Sequence, residues 1–182
     1  MYFTEKEIKL KNNTKCILRS PNEQDAEAMI SYLCQASEET HFMARYGKEF
    51  HISPEEEANM LRKIAEDDRQ IMIAAFVEGV LAGNIGIHPV SPHIKMKHRT
   101  SLGIAVLKKY WQLGIGSALM TEGLDMAEKM GFSQIELGVY SDNLKAQSLY
   151  KKFDFKKWGT IQNAYRLVDG TYYDEIVMGR IF

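Results

Sequence analysis

The sequence predicts a mixed α/β fold, a mostly antiparallel sheet of about six or seven strands flanked by helices. Three stretches carry that expectation. A strand-like run, Leu102 to Leu107, passes through a turn holding Gly114 and Gly116 into a helix with apolar or small residues at Ile115, Ala118, Leu119, Gly123, Met126, Ala127 and Met130. Gln70 to Val77 and Val80 to His88 flank Glu78-Gly79 as a hairpin. Two further strand-like runs, Trp158 to Leu167 and Tyr172 to Met178, close the chain around Asp169-Gly170. At 182 residues the chain can bury one substantial core and reads as a single domain over 1–182, with no repeat, low-complexity run or linker.

Taken in order, Cys16 to Arg19 predicts a short strand. Ser20-Pro21-Asn22-Glu23 then starts a helix whose apolar positions are Ala26, Met29, Ile30 and Leu33. His41 to His51 is irregular and aromatic. Ser53-Pro54-Glu55-Glu56 opens a second helix with a serine cap, proline at the first position and carboxylates in the first turn. After the hairpin, Ser91 to Lys97 reads as a loop and His98 to Leu107 as a strand. The glycine-loop helix ends near Met130-Gly131. Gln134 to Val139 is the next strand, and Asn143 caps a short helix with Ala146, Leu149, Tyr150 and Phe153 on its apolar face.

Composition excludes several classes. Hydrophobic residues make 45% of the chain and charged residues 26%, which fits neither a disordered nor a membrane protein. The longest apolar run, Ile71 to Val77, falls well short of the roughly 20 residues a spanning helix needs. The first residues lack an apolar signal core, so a cytoplasmic setting is expected, with Cys16 and Cys34 as buried free thiols. A net charge of −1 argues against a dedicated nucleic-acid binder. The charge is unevenly placed: residues 1–94 hold 10 Lys and Arg against 15 Asp and Glu, whereas residues 95–182 hold 13 against 9. The basic half suits a polyanionic ligand and the acidic half a cationic one, although two solvated surfaces would look the same. The two cysteines lie eighteen residues apart and the five histidines do not join them in a zinc-finger set, so no metal is expected.

The glycine turn narrows the chemistry. A strand leading through glycines into a helix N-terminus offers unpaired N–H groups and the positive dipole end to a phosphate, and it equally fits a plain tight turn. A P-loop would need Gly-Lys-Ser/Thr, which is absent. A dinucleotide fingerprint would need a third glycine where Leu119 stands, and no intervening Lys108 to Leu113; Glu136, about twenty residues on, is its one remaining feature.

Ile104-Ala105-Val106 followed by Trp111-Gln112-Leu113-Gly114-Ile115-Gly116-Ser117-Ala118-Leu119 resembles the acetyl-CoA motif of the GNAT superfamily of N-acetyltransferases, written Gln/Arg-x-x-Gly-x-Gly/Ala after a strand. Asn143 to Phe155 is similar to that family's Asn-x-x-Ala-x-x-Leu-Tyr-x-Lys-x-Gly-Phe. Trp111 and Asp154 depart from the pattern, in place of Gln or Arg and of glycine. The resemblance covers about residues 101 to 155; elsewhere only the order of segments agrees.

The resemblance implies a GNAT-like fold and acetyl-CoA as cosubstrate, with transfer to a primary amine by direct attack. It places pantetheine along Ile104, Ala105 and Val106, and pyrophosphate on Gln112, Leu113, Gly114, Ile115, Gly116 and Ser117. Asn143 and Ala146 become contacts of the cosubstrate. Tyr150 becomes the general acid, because a phenol of pKa near 10 stays protonated at neutral pH and can protonate a leaving thiolate; the bland alternative is a half-buried core tyrosine. Lys151, Lys152, Lys156 and Lys157 can meet phosphate or simply face solvent. The family's usual base glutamates are replaced by Ser101 and Gly138. Glu136, His98 or a water relay are the remaining choices. A small cationic amine is the expected acceptor, steered by carboxylates such as Glu38, Glu39 and Glu49. A protein lysine or N-terminus, or an acyl-CoA sensor without turnover, are the alternatives; a homodimer is left open.

Overall fold

The elements occur in the expected order, with one strand more at the amino end. In the computed structural model, which describes residues 1–182, the chain runs β1 (Lys6–Lys9), β2 (Lys15–Arg19), α1 (Ala26–Glu39), α2 (Pro54–Glu66), β3 (Ile71–Val77) and β4 (Val80–Pro89). It continues through β5 (Arg99–Val106), α3 (Ile115–Lys129), β6 (Gln134–Tyr140), α4 (Leu144–Lys152), β7 (Lys156–Arg166) and β8 (Tyr172–Ile181). All eight strands form one sheet, ordered β1-β2-β3-β4-β5-β6-β8-β7. The count exceeds the expected six or seven because β1 is missing from the sequence reading. Its four residues, Lys-Glu-Ile-Lys, are exposed but for half-buried Ile8, so no apolar alternation announces it. Charges on such an outer strand also discourage pairing with another chain.

The helix starts follow their caps. Asn22 and Asp25 exchange side-chain bonds with each other's end of the turn before α1, Gln24 N donating to Asn22 Oδ1 at 2.9 Å and Asn22 N to Asp25 Oδ2 at 2.8 Å. Ser53 and Glu56 form the same box at α2, with Pro54 in the first turn. Cys16 is buried as expected, but Cys34 is half-buried; both are free thiols.

Two helix layers sandwich the middle of the sheet. In β3 and β4, Ile71, Ile73 to Val77, Leu81 to Gly83 and Ile85 to Ile87 are buried, as strands covered on both faces must be. Ile85 faces α3, its Cδ1 lying 2.7 Å from where a Cβ on Gly123 would stand. Asn84, one residue away and hence on the other face, has its side-chain amide 3.0 Å from the Tyr32 hydroxyl of α1. The register carries these faces outward. Asn84 pairs with Ala105 and His88 with Ser101, so Ser101, Gly103 and Ala105 share the α1 face. Ser101 pairs with Glu136, which puts Glu136, Gly138 and Tyr140 on that same face.

Ile85 is fully buried, so Ile85→Ala removes atoms from the contact that seats α3. The expected cost is about 2–5 kcal/mol in urea unfolding. A loss below about 1 kcal/mol would show that α3 closes onto the sheet and refills the space.

Candidate active site

The site begins where two parallel strands stop pairing. β5 and β6 pair at Arg99/Gln134, Thr100/Ile135 and Ser101/Glu136, and no further. Beyond that point β5 keeps only β4 as a neighbour and β6 only β8, leaving a wedge between their carboxyl ends. Ile104, Ala105 and Val106 lie on the open part of β5. Two carbonyls there are already engaged: Tyr32 Oη donates to Ala105 O at 2.8 Å, and Trp111 Nε1 to Val106 O at 2.6 Å. Trp111, which stands where the resembling pattern has Gln or Arg, is therefore still a donor, and it pins the glycine loop to the strand. Lys145 Nζ lies 5.0 Å from the centre of the indole ring.

The loop after β5 leads its main chain into an anion-binding shape. The N–H groups of Gln112, Leu113, Gly114, Ile115, Gly116 and Ser117 have no acceptor in the protein; the first helical bond at this end runs from Ala118 N to Gly114 O at 3.0 Å. Gln112 at φ 64° and Gly114 at φ 103° are left-handed, and such alternation turns successive amides toward one concavity. The first turn of α3 carries no acidic residue, so its dipole end is free for an anion. The loop is braced from two sides, by Lys11 N donating to Leu113 O at 3.1 Å and Lys108 N to Glu39 Oε2 at 2.6 Å. This geometry suits a pyrophosphate, and it consists of main chain.

α4 lies against this helix end, Leu149 Cδ2 coming within 3.3 Å of a Cβ built on Gly116. Asn143 Oδ1 accepts from Ala146 N at 3.1 Å, which makes Asn143 the cap and Ala146 its partner. Tyr150 is only 6% exposed and packs on Phe155. Burial pushes its phenol up to about 12. Its hydroxyl has no hydrogen-bond partner, yet the sealed side-chain atoms without partners are Ser37 Oγ and Glu57 Oε1 alone, so Tyr150 Oη meets accessible space. Asp154, where the resembling pattern has glycine, takes φ 63° and keeps the turn at the cost of a strained backbone. Lys151, Lys152, Lys156 and Lys157 are exposed and make no ion pair.

The sequence candidates for a base do not gather in the open wedge. Glu136 sits at its closed end in a bidentate pair with Arg99, two contacts being 2.8 Å. His98 is exposed just before β5 begins, farther still from the opening. Ser101 donates to His88 O. Gly138 lies in the open part, but a Cβ there would overlap the Glu175 carboxylate arriving from β8.

Sequence reasoning missed what surrounds that carboxylate. Tyr165 stacks on Tyr140 with ring centres 3.8 Å apart, and His41 stacks on Tyr173 at 4.8 Å. Tyr165 Oη donates to Glu175 Oε1 at 2.5 Å, while His41 Nε2 meets Asp142 Oδ2 at 2.9 Å. These residues come from the α1–α2 connection, the end of β6, and the β7–β8 hairpin. Only the strand register brings them together, and no local pattern marks it. No group of three or more His, Cys, Asp or Glu side chains is placed to hold a metal ion.

Comparison with known proteins agrees with this geometry. The Acetyltransferase (GNAT) family matches residues 22–155. The L-amino acid N-acetyltransferase AaaT of Escherichia coli K12 is 29% identical over 146 residues, covering 74% of this chain and 89% of the relative. An acetyltransferase of the GNAT family from Streptococcus pneumoniae superposes with a TM-score of 0.87 at 29% identity, over 92% of this chain and 99% of that one. The putative acetyltransferase yncA of Salmonella typhimurium, solved with acetyl-CoA, gives a TM-score of 0.80 at 14% identity, over 91% and 93% of the two chains, and so shares the fold.

A branched side chain at residue 116 would crowd both the concavity and Leu149. In the wild-type chain, acetyl-CoA at a hundred times its dissociation constant should add about 2.7 kcal/mol of stability, read as a rise in melting temperature. Gly116→Val should abolish that rise while the unliganded chain still melts cooperatively. An unchanged rise would remove the loop from the binding site.

Proposed function

The chain belongs to the GNAT family of acetyltransferases, and on that premise we propose that this N-acetyltransferase moves the acetyl group of acetyl-CoA to the primary amine of a small cationic molecule. The run of amides without acceptors, set beside the open edge of β5, supports the cosubstrate's place most directly. In this reading Gln112 to Ser117 hold the pyrophosphate, and Ile104, Ala105 and Val106 line the pantetheine. Asn143 and Ala146 fix the start of α4 beside that arm. Acetyl-CoA supplies an acyl group already activated as a thioester.

Tyr150 is the general acid of this scheme. A phenol pushed up to about 12 is fully protonated at neutral pH, so the proton is always available. It would be a poor donor to a thiolate in water, whose conjugate acid has a pKa of about 8.5. Desolvation of the departing thiolate in the site would raise its proton affinity in the same direction and narrow the gap between donor and acceptor. The attack on the thioester carbonyl is direct, without a covalent enzyme intermediate, so the chain's tasks are orientation and proton movement.

The aromatic wall supports a cationic acceptor. His41 and Tyr173, both half-buried, stack on the α1 face beside the wedge next to buried Tyr140, and an ammonium that reaches the outer face of such a ring is attracted by about 0.5–2 kcal/mol. The carboxylates favoured from sequence serve less well. Glu39 is taken by Lys108 N, and Glu49 accepts from Tyr46 N in a capping box. Glu38 packs against Gly47. An amino acid is the second reading, favoured by the 29% identity to AaaT, an L-amino acid N-acetyltransferase by name.

Tyr150→Phe should keep acetyl-CoA binding and lose roughly a hundredfold or more in turnover. Activity within about threefold of wild type would make Tyr150 a packing residue. Offered polyamines, amino sugars, amino acids and a neutral peptide with acetyl-CoA, the protein should acetylate a small cationic amine fastest, read by product mass. The KM for that amine should rise with salt, since exposed charges are screened over about 8 Å at physiological strength. A clear preference for an anionic acceptor would overturn the cationic reading and leave the amino acid.

A further inference from the structure

Amine acetylation at neutral pH needs a proton acceptor, because an amine of pKa about 10.4 is neutral in only about one molecule in a few thousand. The carboxylates near the wedge are mostly committed. Glu136 is held by Arg99 at the closed end, Asp142 faces His41, and Glu39 caps Lys108 N. Glu175 differs from all of these. It pairs with Tyr140 across the β6–β8 ladder, so its side chain stands on the α1 face, and it leans diagonally over Gly138. Gly138 lies in the part of β6 that has already parted from β5. Oε1 is fixed by the Tyr165 hydroxyl at 2.5 Å, and that ring is fixed in turn by stacking on Tyr140. Oε2 has no protein partner and is not among the sealed unpartnered atoms.

We propose that Glu175, delivered from β8 into the space that Gly138 leaves open, is the general base that takes the proton from the acceptor ammonium. The inference rests on the acetyltransferase reading above and adds a residue to it. Glycine at 138 is then the clearance for a carboxylate from the next strand. Glu175 Oε2 accepts one N–H proton, directly or through one water, and the neutral amine's lone pair forms the new C–N bond at the thioester carbonyl carbon. The C–S bond breaks with its electrons on sulfur, and Tyr150 protonates that sulfur. The amine nitrogen's second proton and the one on Glu175 leave to solvent, and Tyr150 takes one proton back from solvent, so that one proton is released per turnover. The products are the N-acetylated amine and CoA thiol. The groups that face Glu175 are Tyr165 from β7, Tyr140 from β6 and its own neighbour Tyr173, with Tyr46, His41 and Asp142 beyond them. None of the adjoining groups is a lysine or arginine that would bind this carboxylate as an ion pair.

The test uses the full chain with the best amine found in the acceptor panel. Glu175→Gln should lower kcat/KM for the amine by about a hundredfold or more at pH 7. The deficit should shrink as pH rises toward the amine's own pKa, where no base is needed. The melting-temperature rise on adding acetyl-CoA should be unchanged, which a merely structural role would not allow. Moving the carboxylate back to β6, with Gly138→Glu and Glu175→Gly together, should restore activity to within about tenfold of wild type. Three results overturn the proposal: Glu175→Gln activity within about threefold of wild type, a deficit equal at every pH with no rescue by the double variant, or loss of the acetyl-CoA response. A wild-type chain that acetylates no amine in the panel would instead overturn the proposed function, and this inference with it.

Discussion

The rest of the molecule depends on one interrupted ladder. β5 and β6 are the only parallel neighbours in the sheet, and their pairing stops at Ser101 and Glu136. A sheet that opens in this way leaves main-chain donors and acceptors along two inner edges, which is costly unless water or a ligand meets them. The surrounding structure holds that opening in place. The ladders from β4 and β8 support its outer sides, α3 makes the crossover that parallel strands require, and Tyr32 and Trp111 secure the carbonyls of Ala105 and Val106. The opening is thus held by ladders and helices on every side.

The wedge also divides the chemistry between two faces. The glycine loop, α3 and α4 lie together, with Leu149 against Gly116. His41, Tyr140 and Tyr173 lie on the α1 face. A proton donor can therefore stand on one side of a thioester and an amine approach from the other. Desolvation acts differently on the two groups concerned. Burial makes Tyr150 hold its proton more tightly, which keeps the phenol neutral. Glu175 reaches the wedge at a half-exposed position, with one carboxylate oxygen held by the Tyr165 hydroxyl and the other without a protein partner.

Most of the fold was legible because its signals are local. Asn22, Ser53 and Pro54 announce helix starts, Glu78-Gly79 a hairpin, and alternation the central strands. β1 escaped because Lys-Glu-Ile-Lys has too little apolar content to show a period. The cradle was legible because glycines and caps are sequence features; Gln112, left-handed without being glycine, was not. The carboxylate at the wedge was illegible for a different reason. Glu175 reaches Gly138 through the antiparallel register of β6 with β8, where residues 138 and 177 are partners. At residue 138 a side chain from a distant strand occupies the volume where the local motif shows only a gap. The role of Trp111 was not legible either, since only the fold shows that its indole donates to Val106 O.

The composition of the cradle has an evolutionary consequence. Its donors are peptide N–H groups from Gln112 to Ser117, which every amino acid except proline provides. Exposed Gln112 and Ser117 can change their side chains without altering what the concavity offers an anion. What is held fixed is handedness, at Gln112 and above all at Gly114, where φ is 103°. Genetic drift at this loop is then filtered by backbone conformation rather than by side-chain chemistry. Descendants of this chain can diverge widely in the letters of the loop while the anion-binding shape of its main chain stays as it was.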